Sequence, residues 1–214
     1  MDLATALQGI ADLGATWILW VLIALSLAAL TVALERVIYF RRHRDDTAAK
    51  RAQLLSWTES GRIRETVELL EKSRGVEAEV ALATMQAIQK RPDAAAQAMD
   101  GAAERARVRL ERGLSFLGTV GSNAPFVGLL GTVIGIIRAF RLMDATNGRV
   151  STGLMTEVGE ALIATAVGIL VALPAVAAFN SFQGVVKRRL SAARALASEL
   201  VSRDPLSTRM DAAE

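Results

Sequence analysis

The chain has no cysteine among its 214 residues, which excludes a disulfide framework, a thiolate nucleophile and any Cys-ligated metal. It has one histidine, His43, set among Arg41, Arg42 and Arg44. A lone imidazole there reads as a solvated surface group, not a catalytic base or metal ligand. Aromatic residues are scarce, at 5%, and are not interleaved with the basic ones. The sequence pI of about 9.8 therefore does not indicate a nucleic-acid surface. A glycine-rich nucleotide loop of the Walker type is absent, so ATP hydrolysis is not expected. With no nucleophile–base pair or metal cluster in the sequence, the expectation is no catalytic residue, no metal, no cofactor and no enzyme activity.

What the chain has is apolar length. Hydrophobic residues make up 52%, and mean hydropathy is +0.33. They concentrate in three uncharged blocks, Trp17–Leu34, Gly113–Ile137 and Ala161–Val186. Each meets the roughly 18 residues a helix needs to cross about 30 Å of hydrocarbon. Arg36, Arg41, Arg42 and Arg44 follow the first block and Lys187, Arg188 and Arg189 the third, whereas 113–186 holds only Arg138, Arg141 and Arg149 as basic residues. This is the positive-inside pattern. Asp2 and Asp12 precede the first block, with no lysine or arginine before it, so that block reads as a retained span rather than a signal peptide.

The fold expected is an all-α integral membrane protein with three transmembrane helices, the second and third extending into a helical cytoplasmic domain. Its segments are an external N-terminal segment (1–16), span one (17–40), a cytoplasmic helical domain (41–112), span two (113–140), an external loop (141–156), span three (157–186) and a cytoplasmic C-terminal helix and tail (187–214). Trp17 and Trp20 would mark one interface of span one, Tyr39 and Phe40 the other. In the cytoplasmic stretch Ile63, Val67 and Leu70 recur at helical spacing, and Pro92-Asp93 reads as a helix start. From there to Phe140 a single helix is expected, with Gly101 and Gly113 as tolerated interruptions. Pro205 lies near the end of the last helix.

Within the spans the residues are more specified than an anchor needs. Gly131 and Gly135, like Ala164 and Gly168, are four apart, the spacing that lets helix backbones approach. Gly128 extends the first series. Pro125 and Pro174 lie inside spans, where their freed carbonyls need a neighbouring helix or water. Thr132 lies roughly 9 Å along the helix from Arg138, and Thr165 roughly 7.5 Å from Glu160, at about 1.5 Å per residue. If Arg138 and Glu160 mark similar heights, the two hydroxyls share one level. Each threonine could instead bond the carbonyl one turn back. Glu160 is either a polar residue facing a path or an interfacial residue at a helix end. No aspartate lies in any of the three runs, so a central ion-binding carboxylate has to come from another chain.

Ala124-Pro-Phe-Val-Gly-Leu-Leu-Gly-Thr-Val-Ile-Gly-Ile-Ile137 resembles the second-span motif of the ExbB/TolQ/MotA proton-channel family. The stretch from Glu160 through Ala-Leu-Ile-Ala-Thr165 to Asn180 is similar to its third-span motif, and Glu35-Arg-Val-Ile-Tyr-Phe40 to the close of its first span. Three spans fit the ExbB/TolQ-like branch better than the four-span MotA branch. The resemblance implies a pentameric ring in a bacterial inner membrane, with the N-terminus periplasmic and the C-terminus cytoplasmic. It also implies an ExbD/TolR-like single-span partner pair carrying a membrane aspartate, and a TonB- or TolA-like protein beyond it. By motif position Thr132 and Thr165 would line the ion path, with Glu160 near it and H+ as the ion. TonB-type uptake, Tol-Pal envelope maintenance, a gliding motor and a non-conducting scaffold stay open at this point.

Overall fold

The computed structural model describes residues 16–43, 47–145 and 151–204. The N-terminal segment before Thr16, Arg44, Arg149 with the middle of the 141–156 loop, and the tail holding Pro205 lie outside the described residues. The described chain is helical: α1 (Thr16–Arg42), α2 (Thr47–Glu59), α3 (Ile63–Lys72), α4 (Val76–Lys90), a 3-10 turn (Pro92–Ala94), α5 (Ala95–Glu111), α6 (Leu114–Ala145) and α7 (Thr152–Ser202). No strand occurs among the described residues. Three of these helices, α1, α6 and α7, are long and apolar enough to cross a membrane, with mean hydropathies of 2.5, 1.8 and 2.4. The protein is an all-α membrane protein whose last span continues into a long helix.

Two compact units share these helices. One comprises residues 16–35 and 113–181, the other 36–112 and 182–204. In the first unit, α1, α6 and the first part of α7 pack through small residues. Large apolar side chains such as Trp20, Leu27, Phe126, Phe140, Leu170 and Leu173 remain exposed. So much exposed apolar surface suits lipid or further subunits rather than water. Pro125 and Pro174 both sit inside continuous helices. Pro174 also borders a cavity of ≈ 140 Å³ lined mainly by alanines and Leu30, Leu117 and Val171.

The second unit has a conventional core. Leu54, Leu70, Ala78, Met85, Ile88 and Leu196 are among its buried residues, with Ile63 and Val67 packed beside them. The expected Ile63–Val67–Leu70 stripe is thus the inward face of α3. Thr58, Thr66 and Thr84 are buried, each bonded to a carbonyl one turn back. Lys72 donates to Glu68 at 2.8 Å and holds that carboxyl below its ordinary range. Both groups are exposed, so the pair contributes little stability.

Two of the expected organising features differ. The single helix from Pro92 to Phe140 is broken between α5 and α6, where Gly113 adopts φ 76°. A side chain disfavours that left-handed backbone, and a Cβ there would also lie 3.2 Å from Val32 Cγ1. Both ends of the expected 141–156 loop are helical, since α6 reaches Ala145 and α7 begins at Thr152. Hydropathy marks the lipid-embedded length of a helix, whereas its ends are set by backbone hydrogen bonding.

The basic residues read as topological also differ among themselves. Arg36 is buried at 3% exposure, and its guanidinium lies 4.8 Å from the Tyr39 ring centroid. Arg189 donates to His43 O at 2.8 Å and Phe40 O at 2.9 Å, which satisfies carbonyls at the end of α1 that have no intrahelical donor. Lys187 and Arg188 are exposed. Arg189→Ala is expected to destabilise the protein by about 1.5–3 kcal/mol, the range for hydrogen bonds to charged groups. Arg188→Ala should stay within about 0.5 kcal/mol. Thermal unfolding in detergent measures both.

Candidate functional site

The first unit is held together where α6 and α7 run antiparallel at very close approach. A Cβ built on Gly128 would lie 2.7 Å from Ala164 O and 3.0 Å from Thr165 Cα. One on Gly168 would lie 2.7 Å from Ala124 O and 3.0 Å from Gly128 Cα. Gly131 faces the Ala164 methyl, and Gly135 faces Ala161. The residues singled out for packing, Gly128, Gly131, Gly135, Ala164 and Gly168, therefore form one seam. Pro125 precedes it on α6, and Pro174 follows it on α7.

That seam brings the two threonines together. Thr132 and Thr165 are half-buried, and their hydroxyls are in direct hydrogen-bond contact. Thr132 Oγ1 also donates to Ala161 O at 3.1 Å, and Thr165 Oγ1 to Gly128 O at 3.1 Å. The bond from Thr132 to Gly128 O, one turn back on its own helix, is longer at 3.5 Å. These hydroxyls thus bond mainly across the helix pair. Two protons serve three acceptors here: two carbonyls and the other hydroxyl. Each hydroxyl oxygen has two lone pairs, so the capacity left over is to accept. A protonated carboxylic acid can donate to such a pair, whereas an ionised carboxylate finds no free donor.

Glu160 lies nearer the start of α7, where it accepts from Thr16 Oγ1 at 3.3 Å. Arg138 Nη2 pairs with Glu157 Oε1 at 3.1 Å, and the two side chains are 32% and 15% exposed. Glu157 Oε2 is buried without a hydrogen-bond partner among the described residues. Sequence reasoning missed Glu157, although a basic residue close to the apolar run on the facing helix was a signal that an acid is needed opposite. Among the described residues no group of three or more His, Cys, Asp or Glu could hold a metal ion. The site offers two hydroxyls, two backbone carbonyls and, beyond them, the Glu160 carboxylate and the Arg138–Glu157 pair.

Residues 72–195, more than half the chain, match the MotA/TolQ/ExbB proton channel family. The Biopolymer transport protein ExbB of Xanthomonas campestris pv. campestris (strain B100) is 48% identical over 89 residues, covering 42% of this chain and 35% of that protein. The Tol-Pal system protein TolQ of Pseudomonas aeruginosa is 48% identical over 87 residues, covering 41% and 38%. A longer match, to the protein named ExbB-like 1 of Synechocystis sp., is 30% identical over 190 residues and covers 86% of this chain and 73% of that one. The chain thus spans little more than a third of the first two relatives and nearly three quarters of the third.

Proposed function

The chain belongs to the MotA/TolQ/ExbB proton channel family, and from that premise we propose that it is the ring-forming, path-lining subunit of a motor driven by the proton-motive force. The ring is a pentamer in the inner membrane, with the N-terminus periplasmic and the C-terminus cytoplasmic. It surrounds an ExbD/TolR-like partner pair whose intramembrane aspartate supplies the acid absent from this chain's three uncharged runs. Protons pass by way of that aspartate, and the movement they drive energises TonB-type uptake or Tol-Pal envelope maintenance through a TonB- or TolA-like protein. The ExbB and TolQ relatives match at the same 48% identity, so both uses stay within the proposal.

One observation carries this reading: the Thr132–Thr165 hydroxyl pair, with its protons committed locally and lone pairs left to accept. Such a pair stabilises the neutral form of an approaching carboxyl group and lets go of the ionised form, as a proton carrier requires. The test co-expresses the chain with a single-span, aspartate-bearing partner and reconstitutes both into liposomes holding a pH-sensitive dye. Proton uptake above that of either protein alone is expected, and Asp→Asn in the partner's span should return it to background. Flux that ignores this substitution would overturn the proposal.

A further inference from the structure

We propose that Glu157 is a positioning residue that holds Arg138 away from Glu160 and so keeps Glu160 available to the ion path. The inference rests on the path-side reading of Glu160. Glu157 and Glu160 are three residues apart on α7, so their Cβ atoms lie about 5–6 Å apart on adjacent turns of one face. The guanidinium of Arg138 faces that surface from α6 and pairs with Glu157, the carboxylate with the 15% exposed side chain. Glu160 takes a neutral donor instead, the Thr16 hydroxyl at 3.3 Å. Arg141, one turn further along α6, has interactions of its own.

The selection has a physical reason. A partly buried guanidinium needs a counter-charge, and breaking its pair leaves an uncompensated ion in a poorly solvated place. Glu157 meets that need with Oε1 and holds Oε2 in reserve. Remove the Glu157 charge, and the next acid on that face of α7 is Glu160. A carboxylate captured by arginine has its oxygens taken up by guanidinium N–H groups, and a cation approaching along the path meets a neutralised pair rather than a negative group.

The experiment compares wild type, Glu157→Gln, Arg138→Gln and the double variant, each the full chain with its partner in liposomes. Glu157→Gln is expected to cut proton flux at least about tenfold, the effect of about 1.4 kcal/mol on the transfer barrier. Arg138→Gln should stay near wild type, and the double variant should recover to within about twofold, because no arginine is left to capture Glu160. The infrared carboxylate stretching band of Glu160 at fixed pH, assigned by its loss in Glu160→Gln, gives a readout that does not depend on conduction. Guanidinium hydrogen bonds move such a band, so it should shift in Glu157→Gln and return in the double variant. An unmoved band in Glu157→Gln overturns the inference. So does a double variant as impaired as Glu157→Gln, which would make Glu157 itself an ion carrier. Equal losses of flux and thermal stability in both single variants would overturn it too, leaving a structural clasp. If wild type conducts nothing, the ion-path reading fails, and the infrared band still decides whether Glu157 holds Arg138.

Discussion

Replacing Thr132 and Thr165 together with alanine is expected to abolish proton flux while the assembled complex persists in the membrane. The two effects separate because the hydroxyls contribute differently to each. For assembly they contribute three cross-helix contacts. Hydrogen bonds of this kind within membranes average only about 0.6 kcal/mol. The glycine seam, which the substitution leaves intact, does most to hold α6 and α7 together. For flux, the hydroxyls are the only side-chain oxygens on α6 and α7 at their level, and a neutral carboxyl passing them loses its acceptors. An unmet bond of this kind in a poorly solvated place costs about 1–3 kcal/mol, so losing both sites slows transfer by roughly 10²-fold or more. Thr132→Ser with Thr165→Ser keeps the oxygens and should retain flux. Liposome dye assays beside size-exclusion profiles check both halves. Normal flux in the double alanine variant would count heavily against a path-lining role.

The hydroxyl pair was legible because depth along a helix is arithmetic, and antiparallel spans convert it into register. The spans themselves were legible because a lipid core demands a long uncharged run. The Arg138–Glu157 pair was not. Counting from the threonine pair places Arg138 opposite residue 159, between Glu157 and Glu160. Only the rotation of the two helices decides which acid the arginine meets. The break at Gly113 escaped for a different reason. Glycine is tolerated inside helices at a cost of about 1 kcal/mol, and nothing in the neighbouring residues announces a left-handed backbone. Arg189 was read with Lys187 and Arg188 as one charge cluster. Helical rotation turns one of the three inward to the end of α1 and leaves the other two in solvent.

The seam supports the second large prediction, in which the cause of failure depends on which atom stands in the way. In Gly128→Ala the new methyl meets Ala164 O at 2.7 Å, Thr165 Cα at 3.0 Å and Gly168 Cα at 3.2 Å. All three belong to backbone, so no side-chain rotation relieves the clash and the helices have to separate. Overpacking of this kind costs about 1–3 kcal/mol. It also pulls Gly128 O away from the Thr165 hydroxyl that donates to it at 3.1 Å. Gly128→Ala should therefore lose assembly and flux together, in contrast to the threonine pair, where flux alone is lost. Gly131→Ala meets the Ala164 methyl at 2.6 Å, an obstruction that Ala164→Gly removes. The double variant moves one methyl across the interface and is expected to restore the complex. No such exchange rescues Gly128→Ala, because Ala164 and Thr165 keep their backbone whatever side chain they carry. Gly159, where a Cβ meets nothing within 4 Å, is the control: alanine there should be neutral or stabilising by up to about 1 kcal/mol. Thermal unfolding and the yield of assembled complex in detergent would rank the variants. A Gly128→Ala protein as stable as Gly159→Ala would refute the close approach of α6 and α7 on which the hydroxyl pair depends.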